Sequence, residues 1–160
     1  METKIRHLSE VPVLTGLPAT PSSIKPELFS GKHEAQLGKA VGITQFGVNH
    51  LTLEPGSISS LRHWHEGEDE FVYVLSGELV LIDNNGEHAL AAGCCAGFPA
   101  DSGNAHQLTN RSNARATFIV VGTRKSGQET IHYPDDGIDQ VTVVRDARGE
   151  RVKPSGGGGM

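Results

Sequence analysis

At 160 residues, with 36% hydrophobic and 21% charged side chains, the chain is long enough for one packed domain and too short for two comfortable ones. A net charge of −5 and the lack of any Lys/Arg-rich run exclude the basic field that a phosphate backbone requires, so no nucleic-acid partner is expected. The longest nearly apolar stretch, residues 89–98, carries two glycines and is about half the roughly 20 residues of a membrane span, and the N-terminus lacks the apolar core of a signal peptide. No membrane partner is expected either, and the expected location is cytoplasmic.

In chain order, residues 1–40 carry Pro12, Pro18, Pro21 and Pro26, a spacing that forbids a long helix and allows short turns or edge strands. They read as an extended N-terminal arm. From residue 41 to 146, β-branched residues and leucines recur in short runs separated by glycine and asparagine turns, the pattern of an all-β sandwich or barrel. Strands are predicted at 42–54, 60–65, 71–75, 79–83, 88–90, 95–98, 106–110 and 116–122, with 141–146 as an edge strand or clasp. Two hairpins are predicted. One joins 71–75 to 79–83 across Ser76-Gly77, the other turns through Asn84-Asn85-Gly86. Residues 147–160, ending in Pro-Ser-Gly-Gly-Gly-Gly-Met, read as a flexible tail. The two cysteines, Cys94 and Cys95, are adjacent, a geometry that disfavours a mutual disulfide and leaves reduced thiols packed in a strand.

Eight histidines are many for this length, but spacing decides what they mean. His63 and His65 flank Trp64, and residues two apart on a strand point to the same face, so both imidazoles can converge while Trp64 turns away. Taken alone, two alternate histidines in a strand are ordinarily structural or surface groups. Glu70 follows at the start of the next apolar run, beyond an acidic loop, and a strand, loop and returning strand would bring its carboxylate beside the imidazoles. His106 opens a later strand and would lie opposite if the sheet closes. Three imidazoles and one carboxylate suit one divalent transition metal, Fe, Mn, Ni, Co, Cu or Zn, better than Ca or Mg. On an octahedral ion they leave two positions open for water and an oxygen-bearing substrate.

The stretch PGSISSLRHWHEGEDEFVYVLSGE resembles the first motif of the cupin superfamily, with Gly56, His63, His65, Glu70 and Gly77 in order. GCCAGFPADSGNAHQLTN resembles the second, with Gly93, Pro99, Gly103, His106 and Asn110. The resemblance spans roughly residues 42–122. It departs from the family pattern in two loops, where six residues separate Gly56 from His63 and three separate Pro99 from Gly103. It implies a single-domain antiparallel jelly-roll-like β-barrel, often a homodimer, with metal ligands at His63, His65, Glu70 and His106 and turn glycines at Gly77 and Gly93. Tyr-Pro-Asp at 133–135 is similar to the same segment of small bacterial cupins labelled sugar-phosphate isomerases.

Other residues have weaker claims. His50 reads as a surface position, because Leu51 and Leu53 form the more apolar face. Glu66, Glu68 and Asp69 read as a solvated acidic loop that could relay protons. Tyr73 has odd parity relative to Glu70 and points away, as does Gln107 relative to His106. Arg62 and Arg115 are candidates for holding an anion, though lone arginines are ordinarily surface groups. The expected function is a metal-dependent enzyme acting on a small molecule by isomerase, lyase or dioxygenase chemistry. The alternative is a non-catalytic small-molecule-binding module, and no general base stands out to decide between them.

Overall fold

The structure is a computed structural model that describes residues 1–17, 25–135 and 137–152. Its strands are β1 (Val13–Thr15), β2 (Lys32–Gln36), β3 (Phe46–Leu53), β4 (Trp64–His65), β5 (Glu70–Ser76), β6 (Glu78–Asp83) and β7 (Gly86–Ala91). They continue with β8 (Cys95–Phe98), β9 (Gln107–Thr109), β10 (Ala116–Thr123), β11 (Gly127–Tyr133), β12 (Ile138–Arg145) and β13 (Arg151–Val152). A single α-helical turn, α1 (Leu37–Ala40), stands between β2 and β3 among the described residues, and none of their helices is long and apolar enough to cross a membrane. Pro18, Pro21 and the tail from residue 153 lie outside the described residues.

The ladders are antiparallel and form three sheets: six strands in the order β1-β2-β3-β10-β5-β8, four in the order β13-β12-β11-β4 and three in the order β7-β6-β9. This is the all-β jelly-roll-like architecture expected. Alternation drives it. On β5, Val72 and Val74 turn inward while Phe71, Tyr73 and Leu75 turn out. Leu51, Leu53 and Phe118 from the large sheet meet Leu79, Leu81, Leu90 and Leu108 from the small one in a single apolar cluster. Burying a Leu or Phe side chain in such a cluster stabilises the fold by about 1.5–3 kcal/mol each.

Three elements differ from expectation. The strands 71–75 and 79–83 do not form a hairpin, because both edges of β5 are occupied by β10 and β8, and β6 belongs to the other sheet. Gly77, at φ 76°, instead carries the chain from one sheet to the other, where a Cβ would stand 2.7 Å from the Arg115 carbonyl oxygen. Apolar alternation reads the same for two strands paired in one sheet and two strands facing across a core. The strand expected at 60–65 shrinks to β4, preceded by single bridges at Ile58 and His63. Side chains replace the ladder there: Ser59 Oγ accepts the Leu108 N–H at 3.1 Å, and Gln107 Nε2 donates to the Ser60 carbonyl at 2.8 Å. Finally, β11 was not expected, since Gln128, Glu129, Thr130 and His132 interrupt the apolar pattern. The hairpin through Asn84-Asn85, by contrast, pairs β6 with β7 as read from the sequence.

Within the stretch read as an arm, β2 pairs with β1 on one side and β3 on the other, and Phe29 and Ala35 are only 1% and 3% exposed. The register sets Lys32 opposite Leu53 and Glu34 opposite Leu51, so the polar face of β2 looks into the barrel.

Candidate metal centre

His63 and His106 are locked together by reciprocal backbone hydrogen bonds, 3.1 Å from the His63 N–H to the His106 carbonyl and 2.9 Å in return. Their rings sit 4.7 Å apart. His65 lies on β4 opposite Ile131 of β11, and Trp64 between them turns outward to stack on His132 at 4.0 Å, as strand parity requires. Glu70 opens β5, flanked by Phe98 and Gly122 of the neighbouring strands. One carboxylate oxygen, Glu70 Oε2, then lies 3.0 Å from His106 Nε2, 3.7 Å from His63 Nε2 and 3.7 Å from His65 Nε2. All four expected residues meet at one point. Phe98 stacks on the His106 ring at 3.6 Å and closes one side with apolar surface.

Protonation follows from this geometry. Burial would raise the Glu70 carboxyl, but hydrogen bonds and charge from His106 and His63 outweigh it and hold the group well below the usual carboxylate range. Burial lowers His65 to about 4, helped by the neighbouring His63, against the pull of Glu70. The His63 Nδ1 atom stands 2.8 Å from the Leu61 carbonyl, which can only accept, so Nδ1 donates and Nε2 is the nitrogen that faces Glu70. Lone pairs converging on an anionic oxygen repel unless a proton or a cation lies among them. The donor set therefore fits a borderline divalent metal.

Behind His65 lies a second carboxylate group. His65 Nδ1 is buried without a hydrogen-bond partner, 3.4 Å from Glu129 Oε1 and 3.8 Å from Glu68 Oε2. The Gly67 N–H donates to both Glu129 oxygens at 3.1 and 3.2 Å, and a Cβ on Gly67 would come within 2.6 Å of that carboxylate. Arg145 grips Glu68 through two nitrogens. His63, Glu70 and His106 thus form one trio with metal-ligating spacing, and His65, Glu68 and Glu129 form another, His65 facing both through its two nitrogens. An imidazole held by a carboxylate at one nitrogen presents the other as a ligand in a fixed tautomer.

The four residues open into a cavity of about 680 Å³, whose walls include Lys32, Asn49, Val72, Phe118 and Tyr133. Other sequence candidates fall elsewhere. His50 stands opposite Ala35 and Ile119 on the outward row, and Tyr73 is 41% exposed on the outer face. Arg62 is spent on Asp135, at 2.6 and 2.9 Å, and Arg115 on Glu54. Glu66 binds His132 at 2.7 Å and Asp69 accepts the Ala100 N–H at 2.8 Å, whereas Glu68, read as solvated, is 5% exposed and ion-paired. Asn110 is fully buried and braces its loop by donating to the Leu53 and Ala114 carbonyls. Cys94 and Cys95 are free thiols. Sequence reasoning gave no site role to Lys32, lost in the arm and lining the cavity, to Glu129, which stands behind His65 on the unexpected β11, or to Tyr133, read there only as part of Tyr-Pro-Asp. The Tyr133 ring lies 5.8 Å from that of His63. Alternation through KHEAQ, with Lys32, Glu34 and Gln36 on one face, was the available signal.

Known proteins share this chain's sequence and fold. A family profile described as a cupin domain, Cupin_2, matches residues 49–122. The oxalate-binding protein of Thermotoga maritima is 33% identical over 117 residues, covering 67% of this chain and 93% of the relative. The tetracenomycin polyketide synthase protein TcmJ of Streptomyces glaucescens is 29% identical over 119 residues, covering 73% of this chain and 78% of its own. Among solved structures, a sugar phosphate isomerase from a cupin superfamily, from Silicibacter pomeroyi, superposes with a TM-score of 0.78 at 40% identity, covering 90% of this chain and 94% of that one. Shared sequence over 93% of the Thermotoga protein and 94% of the Silicibacter one, with the antiparallel fold of the latter, makes this chain a member of the cupin superfamily.

Proposed function

We propose that this cupin holds one divalent transition metal on His63, His65, Glu70 and His106 and is an enzyme acting on a small oxygen-bearing substrate by isomerase, lyase or dioxygenase chemistry. The observation that carries the reading is the approach of three Nε2 atoms to within 3.0–3.7 Å of Glu70 Oε2, in a cavity large enough for a small molecule. A bound metal would supply Lewis-acid polarisation of a substrate oxygen or, if redox-active, electron transfer. The chain's own residues supply the rest. His63 donates through Nδ1 to Leu61, which orients its Nε2 toward Glu70, and burial keeps His65 neutral at physiological pH. Val72 and Phe118 line the cavity and Phe98 covers the His106 ring, apolar surface that strengthens the electrostatic attraction between the centre and a charged substrate oxygen. A cytoplasmic location remains part of this reading.

Elemental analysis of untagged protein beside the His63→Ala variant tests it. One equivalent in the parent and little in the variant is expected. A parent that holds no metal and takes none up on reconstitution refutes the metal assignment and favours the second reading, a non-catalytic binding module, for which the name of the Thermotoga relative speaks. The same proposal includes a homodimer, supported by Phe46, Phe71, Tyr73 and Leu75, each 41–45% exposed, on the outer face of the large sheet. Light scattering on the parent and on Phe71→Asp distinguishes dimer from monomer.

A further inference from the structure

Lys32 is 8% exposed, and lysines are almost never buried so deeply without a close partner. Its nearest carboxylate oxygen, Glu34 Oε2, stands 3.7 Å away, beyond hydrogen-bond distance, and Glu34 also accepts from Gln36 Nε2 at 3.3 Å. The register that sets Lys32 opposite Leu53, itself fully buried, turns the side chain inward, and Lys32 lines the same cavity as His63, His65, Glu70 and His106. Burial lowers the ammonium's pKa, with Glu34 and then Glu70 opposing, so Lys32 stands within electrostatic reach of the candidate centre. A cation in that position has room for an anion beside it.

We propose that Lys32 is the anion-binding group of the cavity, holding a carboxylate or phosphate of the substrate while another of its oxygens faces His63, His65, Glu70 and His106. This rests on the reading of those four residues as the site, and it narrows the substrate class to small oxyanions. Lys32 presents three donors on a flexible stem and no acceptor, so it fits an oxyanion and rejects a neutral isostere lacking the charge. Glu34 limits that affinity. Its carboxylate competes with an incoming anion for the same ammonium, so only ligands that also gain contacts at the four-residue site displace it.

The test is calorimetric titration of oxalate and of inorganic phosphate into the parent, Lys32→Met, Lys32→Arg and Glu34→Gln, each with and without bound metal, with elemental analysis of every sample. The parent is expected to bind at least one of the two anions, which tells carboxylate from phosphate recognition. Lys32→Met is expected to weaken that binding about tenfold to hundredfold at unchanged metal content, the usual loss for a charged hydrogen bond. Lys32→Arg retains most of the affinity, and Glu34→Gln tightens it. Unchanged affinity in Lys32→Met, or a parent that binds neither anion, overturns the assignment. Should Lys32→Met fail to fold, Glu34→Gln still decides, since affinity that stays level or falls is the contrary result. A parent that takes up no metal on reconstitution, yet binds the anion with an affinity that Lys32→Met weakens, would refute the metal reading and leave this one standing.

Discussion

Replacing Gly77 by alanine tests the crossing from one sheet to the other. The residue has φ 76°, a left-handed conformation that costs an L-residue about 1–2 kcal/mol. A Cβ there would also stand 2.7 Å from the Arg115 oxygen, 2.9 Å from Ala116 Cα and 3.0 Å from Ala116 Cβ. Those atoms belong to backbone or to a side chain that is fully buried, so they cannot swing aside, and such overpacking costs about 1–3 kcal/mol more. The sum, about 2–5 kcal/mol, corresponds to a fall of roughly 4–20 °C in Tm for a chain of this size. Gly93→Ala is the control: Gly93 also has positive φ, at 91°, but nothing lies within 4 Å of its Cβ position, so only the conformational cost applies. Urea and thermal unfolding of metal-free protein measure both variants without linkage to a bound ion. If Gly77→Ala is no less stable than Gly93→Ala, the chain does not turn between sheets at Gly77 as described.

Three other outcomes follow from the site. Replacing His106 by alanine is expected to lower metal content sharply while far-ultraviolet circular dichroism stays that of the parent, because the apolar cluster of Leu53, Val74 and Phe118 does not depend on the imidazole; full metal content would remove His106 from the site. Glu129→Ala should weaken metal affinity about tenfold to hundredfold by removing the carboxylate that faces His65 Nδ1 at 3.4 Å, and Glu129→Gln should recover part of it through the amide oxygen, as competition against a chelator would show; equal affinity in all three proteins would dismiss Glu129 as a support. As pH falls from about 6.5 to about 4, unfolded His65 takes a proton that the folded, buried ring refuses, so metal-free protein should lose stability across that window, and urea midpoints that stay level would contradict the burial of His65.

The parts of this site that were legible in the sequence are those whose geometry is local. His63 and His65 share a face because strand parity is fixed by the backbone, and Tyr73 and His50 were read as outward by the same rule. Glu70 and His106 were joined to them only conditionally, by a returning strand and a closing sheet, and the motif resemblance made that reading specific, because which strand lies beside which is set by long-range pairing that alternation does not encode. That gap explains both the hairpin at Ser76-Gly77 and the loss of Lys32. A run such as KHEAQ contains no large apolar residue, so its alternation puts Lys32, Glu34 and Gln36 on one face but does not say that this face is the inward one until β3 is known to lie beside it. Glu129 escaped for the same reason, a charged residue that is 5% exposed because Gly67 and His65 surround it. Polar residues facing a cavity weaken the hydrophobic signal at the positions where a ligand would bind. A cavity of this kind is therefore harder to read from one sequence than the histidines at its end, and Lys32, buried with Glu34 3.7 Å away, is where the structure adds most to the functional argument.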